Sequence, residues 1–167
     1  MLKVAGINFE SIVDGDGVRV VIFFSGCKHD CKGCHNPSSH DFNAGKDFDE
    51  SLRSEIIEYV LETPFVAGIT LSGGDPMYSA DEIFSFVRDF KTALPDKDVW
   101  VYSGFTYEEI TPDVSMNKLL SLCDVLVDGL FVLEQRDITL SYKGSRNQRI
   151  IDVQKSLESG SVVLWNI

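Results

Sequence analysis

Apolar residues fall into short runs separated by glycine-bearing loops, and the period changes from run to run. Val18–Phe24 (VRVVIFF) is a continuous apolar, β-branched stretch bounded by Gly17 and Ser25-Gly26, the pattern of a buried strand. From Asp49 the period is helical: Leu52, Ile56, Ile57, Val60 and Leu61 recur at helix spacing, and Pro64 ends the run. Gly68–Ser72 (GITLS) predicts a second strand, closed by Gly73-Gly74. Ser79 is placed to cap a helix with the stripe Ile83, Phe84, Val87, Phe90 and Leu94, stopped before Pro95. Val99–Ser103 (VWVYS) predicts a third strand ending at Gly104. A shorter helix over 115–122 leads into Val125–Val127, with Asp128-Gly129 behind it. Beyond this, 130–148 reads as loop, Ile150–Leu157 as a turn of helix and Val162–Trp165 as a last strand.

Strand, glycine loop and helix alternate several times, which predicts an α/β fold with a largely parallel sheet and helices outside. In such sheets chemistry gathers beyond the carboxyl ends of the strands. The loop 25–48, Gly73-Gly74, Ser103-Gly104 and Asp128-Gly129 all occupy such ends and point to one crevice. The 167 residues predict one domain over 1–167. A complete eight-unit barrel needs about 250 residues, so a barrel here has to be partial.

Charge narrows the partners. Fifteen basic against 26 acidic side chains give a net charge of −11, which argues against nucleic acid or an anionic membrane as the partner. No apolar run approaches the ~20 residues that span a bilayer. The start MLKVAGINFE lacks a secretory pattern, so a cytoplasmic location is expected. The charge is uneven. Seven acidic residues crowd Asp41–Glu62, whereas 136–155 holds Arg136, Lys143, Arg146, Arg149 and Lys155 against Asp137 and Asp152.

The cysteines carry the most information. Cys27, Cys31 and Cys34 form a C-x3-C-x2-C group, and Cys123 stands alone. Neither an export signal nor dispersed pairs accompany them, so they read as a metal site rather than disulfides. The spacing leaves three readings open: an iron–sulfur cluster, a structural zinc completed by His29, His35 or Cys123, or unrelated thiols. Cys123 precedes an apolar run and reads as a buried structural thiol, and His29 as an ordinary loop histidine. Gly73-Gly74 suits either close approach of backbone to a ligand or a plain strand-to-helix turn.

A C-x3-C-x2-C group after a strand resembles the radical S-adenosylmethionine (SAM) enzymes. Within them, GDGVRVVIFFSGCKHDCKGCHNP resembles the glycyl-radical activating enzymes. LSGGDPM (71–77), VWVYSGFTYEEI (99–110), LVDGLF (126–131) and GSRNQRIID (144–152) extend the likeness along nearly the whole chain. They point to the branch that serves anaerobic (class III) ribonucleotide reductase. Gly33 stands where many radical SAM enzymes carry an aromatic, as in this branch, and Asp75 where many carry Glu.

The resemblance implies a partial (β/α) barrel. It also implies a [4Fe-4S] cluster on Cys27, Cys31 and Cys34, with SAM on the remaining iron. Reductive cleavage of SAM to a 5′-deoxyadenosyl radical would then place a glycyl radical on the reductase's large subunit. By the same likeness, the Gly73-Gly74 peptide groups bind the SAM amino group, and Gly33, Cys34 and His35 lie beside its adenine. Ser103 and Asp128 are expected at the ribose hydroxyls or the amino group, with turn roles equally open. Asn147-Gln148-Arg149 either lines that pocket or meets the partner. A flavodoxin- or ferredoxin-type protein would supply electrons. The uneven charge predicts that this donor, or the reductase, docks on the free basic patch formed by 136–155 with Lys28 and Lys32. The other expectations are an activator of a different glycyl-radical enzyme and a non-catalytic zinc or electron-transfer module.

Overall fold

A computed structural model describes residues 1–166. Seven strands form one sheet: β1 (Lys3–Ser11), β2 (Val18–Phe24), β3 (Lys46–Asp47), β4 (Val66–Gly73), β5 (Asp98–Tyr102), β6 (Val125–Asp128) and β7 (Arg149–Asp152). Their order is β3-β1-β2-β4-β5-β6-β7. The central strands β2, β4, β5 and β6 run parallel, and β1 and β7 run antiparallel to their neighbours. Because β3 is antiparallel to β1, five of the seven strands share one direction. The sheet is open, with β3 and β7 at its two edges.

Five helices connect the strands: α1 (Glu50–Glu62), α2 (Ala80–Ala93), α3 (Tyr107–Ile110), α4 (Val114–Leu120) and α5 (Val153–Ser159). Asp49 caps α1 by accepting the Leu52 N–H at 2.9 Å, and Leu52, Ile56 and Val60 are its buried face. Ser79 makes no capping hydrogen bond. A 3-10 turn over Pro76–Ser79 leads into α2, and the Asp75 side chain caps that turn at the Met77 N–H.

Alternation along the strands separates two faces. Val20, Ile22, Ile69, Leu71, Val99, Val101 and Leu126 pack with Ile56, Ile83, Val87, Phe90 and Leu119 in the main core on the helical face. Trp100, Val125, Val127 and Ile150 point the other way, where Tyr102, Tyr142 and Trp165 join them. On that second face lies Arg19, the one charge in the apolar β2 run. It is fully buried, donating to Thr70 Oγ1 at 2.8 Å and the Ile69 carbonyl at 2.8 Å, and pairing with Asp98 at 2.7 Å.

Residues 3–11 form a strand absent from the sequence-based expectations, and two of those expectations need correction. The segment from 149 enters as strand β7 and becomes helical only at Val153. Val162–Trp165 reduces to a single bridge, Leu164 to Ile151, on the outer side of β7.

Candidate functional site

Beyond the carboxyl ends of the parallel strands lies a cavity of about 370 Å³. One wall is the loop after β2. Two short bonds anchor its base, from Gly26 N–H to the Ser39 carbonyl at 2.7 Å and from Cys27 N–H to the His40 carbonyl at 3.1 Å. Cys27, Cys31 and Cys34 all face the cavity from it, each part-exposed. Asn36 N–H at 3.4 Å and His40 Nε2 at 3.2 Å approach the Cys34 sulfur. Burial pushes the Cys27 and Cys31 thiols above their ordinary pKa, and the negative charge of Asp75 and the other thiols pushes the same way.

The facing walls are strand ends. Ser72 and Gly73 end β4 and Gly74 and Asp75 follow it, Ser103 and Gly104 follow β5, and Gly129 follows β6. Gly74 has to be glycine: a Cβ there would sit 2.5 Å from the Gly26 carbonyl oxygen and 2.8 Å from that of Ser39. The absent side chain thus lets the Gly-Gly turn lie directly against the base of the cysteine loop. His35 lines the cavity, with its ring centroid 5.0 Å from that of Phe131. At the far end are Asp14, Leu140, Lys143 and Tyr142. Tyr142 takes a left-handed φ of 65°, and its carbonyl accepts the Tyr102 hydroxyl at 2.6 Å.

Other residues singled out in the sequence lie elsewhere or are otherwise engaged. Gly33 does not line the cavity and sits against Leu133 and Phe131. Ser103 lines it, but its hydroxyl donates to Asp75 at 3.0 Å. Asp128 is buried behind the wall, accepting Tyr107 N–H at 2.8 Å and Arg149 Nη2 at 2.5 Å. Arg149 also pairs with Glu108 at 2.7 Å, which removes it from the free basic patch. Asn147 holds the Leu130 carbonyl, while Gln148 holds Gly129 and Gly144 and reaches the cavity.

The sequence singles out His29 and Asp75 separately, but not their contact. The Asp75 carboxylate lies 2.6 Å from His29 Nε2 and accepts the Gly104 N–H at 2.8 Å. His29 and Asp75 are 46 residues apart, so no local pattern signals the pair.

The donors fit a multi-iron cluster better than a single zinc. His29 is engaged by Asp75, and Cys123 is fully buried with its thiol on the Leu119 carbonyl. Among the described residues, no three His, Cys, Asp or Glu side chains gather closely enough to hold one ion. Thiols bound to different irons of one cluster need not converge on a point, and cationic iron would reverse the mutual repulsion of their anions.

Fold and thiol loop together define an α/β protein of the iron–sulfur class. The family model described as a 4Fe-4S single cluster domain matches residues 13–151. An anaerobic ribonucleoside-triphosphate reductase-activating protein of Haemophilus influenzae is 41% identical over 142 residues, 83% of this chain and 90% of the relative. Proteins of the same name from Vibrio cholerae, with the same coverage, and Escherichia coli K12, over 82% of this chain and 90% of the relative, are 42% and 37% identical. The chain belongs to the family of anaerobic ribonucleoside-triphosphate reductase-activating proteins. Among the described residues no helix is long and apolar enough to cross a membrane.

Proposed function

We propose that the chain is a radical SAM enzyme, one domain on part of a (β/α) barrel, that generates the glycyl radical of an anaerobic ribonucleoside-triphosphate reductase. One observation carries the reading: three part-exposed thiols face the Gly73–Asp75 turn across one cavity, while the fourth cysteine is sealed in the core. The relatives' names support the reductase as the protein acted upon.

In this reading Cys27, Cys31 and Cys34 hold the [4Fe-4S] cluster. The peptide groups of Gly73 and Gly74, with His35 and Ser103, form the SAM side. Gly33 and Asp128 act from behind, one filling the turn beside Leu133, the other fixing the end of β6. A cluster held by these three cysteines would supply the electron for reductive cleavage of SAM, the chemistry from which a glycyl radical on the reductase would be drawn. The protein's own part is to hold three thiols on one side of the cavity and the Gly73-Gly74 peptide groups on the other. There carbonyl oxygens accept from an amino group, because the Gly74 N–H is spent on the Phe24 carbonyl at 2.8 Å. Tyr102, Val127 and Phe131 supply apolar surface that limits water around a reactive species.

Anaerobic reconstitution tests the reading. The protein should turn brown, bind about four irons and release 5′-deoxyadenosine from SAM when reduced. With the reductase present, electron paramagnetic resonance should show a glycyl radical. A colourless, zinc-loaded protein that leaves SAM intact would overturn it.

A further inference from the structure

The middle of the cysteine loop is held to the sheet through one side chain. His29 lies between Cys27 and Cys31, and its Nε2 is 2.6 Å from Asp75 Oδ2. A carboxylate only accepts, which assigns the proton to Nε2. The ring packs edge-on against Phe105 at 4.6 Å and leans on Tyr78 at 5.2 Å. It fills the space that a side chain at position 104 would need: a Cβ on Gly104 would come 2.6 Å from His29 Cδ2.

Asp75 grips the loop on both sides of Cys27. Its backbone N–H donates to the Gly26 carbonyl at 2.9 Å, and its carboxylate takes His29. That carboxylate is 3% exposed and has three further donors: Ser103 Oγ at 3.0 Å, Gly104 N–H at 2.8 Å and Met77 N–H at 3.0 Å. One buried carboxylate therefore joins the thiol loop, the Gly-Gly turn after β4 and the end of β5. Neighbouring Lys28, by contrast, is exposed and only lies over the Phe42 and Tyr78 rings, near 6 Å.

We infer that His29 and Asp75 are positioning residues: their contact sets the shape of the 27–33 loop before iron arrives and keeps the thiols in register with the cofactor side of the cavity. The inference rests on the proposed cluster site. Three thiolates repel one another, and a loose loop spends its binding energy on ordering; a loop already shaped avoids that cost. Contacts behind metal ligands typically change affinity or activity 10- to 100-fold when removed.

The test uses the full chain with His29→Ala, His29→Gln and Asp75→Ala. In metal-free protein, amide hydrogen exchange over 28–33 should accelerate in His29→Ala and Asp75→Ala, and His29→Gln, which keeps a donor, should restore most of the protection. In reconstituted protein, release of iron to a ferrous chelator should be about 10-fold faster in His29→Ala, with a broadened resonance from the reduced cluster. Adding His29→Ala to Asp75→Ala should change the loop's exchange little beyond Asp75→Ala alone. Unchanged exchange in His29→Ala, or no rescue by glutamine, would overturn the inference whether or not iron binds. If exchange responds as expected while wild-type protein takes up no cluster, the proposed function falls and the loop-shaping contact stands.

Discussion

Cys27, Cys31 and Cys34 look onto solvent-accessible space, whereas Cys123 is sealed at the end of α4, its thiol on the Leu119 carbonyl at 3.4 Å. Burial, helped by the negative charge of Asp124, drives the Cys123 thiol far above its ordinary pKa and keeps it from acting as a thiolate. Cys123→Ser should therefore leave iron content unchanged and cost about 1 kcal/mol of stability. That is a melting temperature lower by about 2–4 °C. Serine at 27, 31 or 34 should instead abolish the cluster with little change in the metal-free melting curve. Iron content and calorimetry on the four variants separate the two kinds of cysteine. A loss of iron in Cys123→Ser would reassign it.

At the scale of elements, Arg149 matters most. From the first position of β7 it binds Asp128 at the end of β6 and Glu108 in α3, so one guanidinium ties three elements together. Glu108 is held below the ordinary carboxylate range chiefly by the hydrogen bond from Arg149. Arg149→Met would leave Asp128, 1% exposed, with only the Tyr107 N–H as a partner. The expected cost is about 2–3 kcal/mol, below the ~3–5 kcal/mol of breaking a fully buried pair because Arg149 itself is part-exposed. Denaturant unfolding would measure it, and a change under 0.5 kcal/mol, as at ordinary surface sites, would contradict it. The strands β2, β4, β5 and β6 were readable because each is an apolar run ended by a turn signal, and the thiols were readable from their spacing. β1 was not, although Ala5, Ile7 and Phe9 alternate with Gly6, Asn8 and Glu10: the pattern is short and half-exposed, and pairing with β2 fixes it as strand. Arg149 was misjudged as free charge because its two partners lie 21 and 41 positions away.

Over the whole molecule, the helices cover one face of the sheet and the cavity opens beyond its carboxyl edge. Lys28 and Lys32 are exposed beside the thiols on a chain whose net charge is −11, and neither forms an ion pair among the described residues. An acidic flavodoxin-type donor would meet its attractive surface there. Lys28→Glu with Lys32→Glu should slow cluster reduction by flavodoxin at least tenfold at low salt, the scale of electrostatic steering, and leave reduction by dithionite unchanged. Stopped-flow absorbance with each reductant reads both rates. Equal slowing would point to damage at the cluster rather than lost docking.

An unclosed sheet ordinarily offers its rims to other chains as a template for cross-strand growth. Here β3, two residues long with Lys46 and Asp47 exposed, covers only Lys3 and Val4. Beyond them this rim is β1 itself, broken by register shifts against β2 and carrying exposed Asn8 and Glu10. At the other, the outer side of β7 is occupied by its own tail, through Trp165 N–H to the Ile150 carbonyl and Asp152 N–H to the Val163 carbonyl, both at 2.8 Å. Both rims are blunted, one by broken register and polar side chains and the other by self-capping. Such a molecule can stand at high concentration with little tendency to polymerise through its strands, while the mouth of its cavity stays clear.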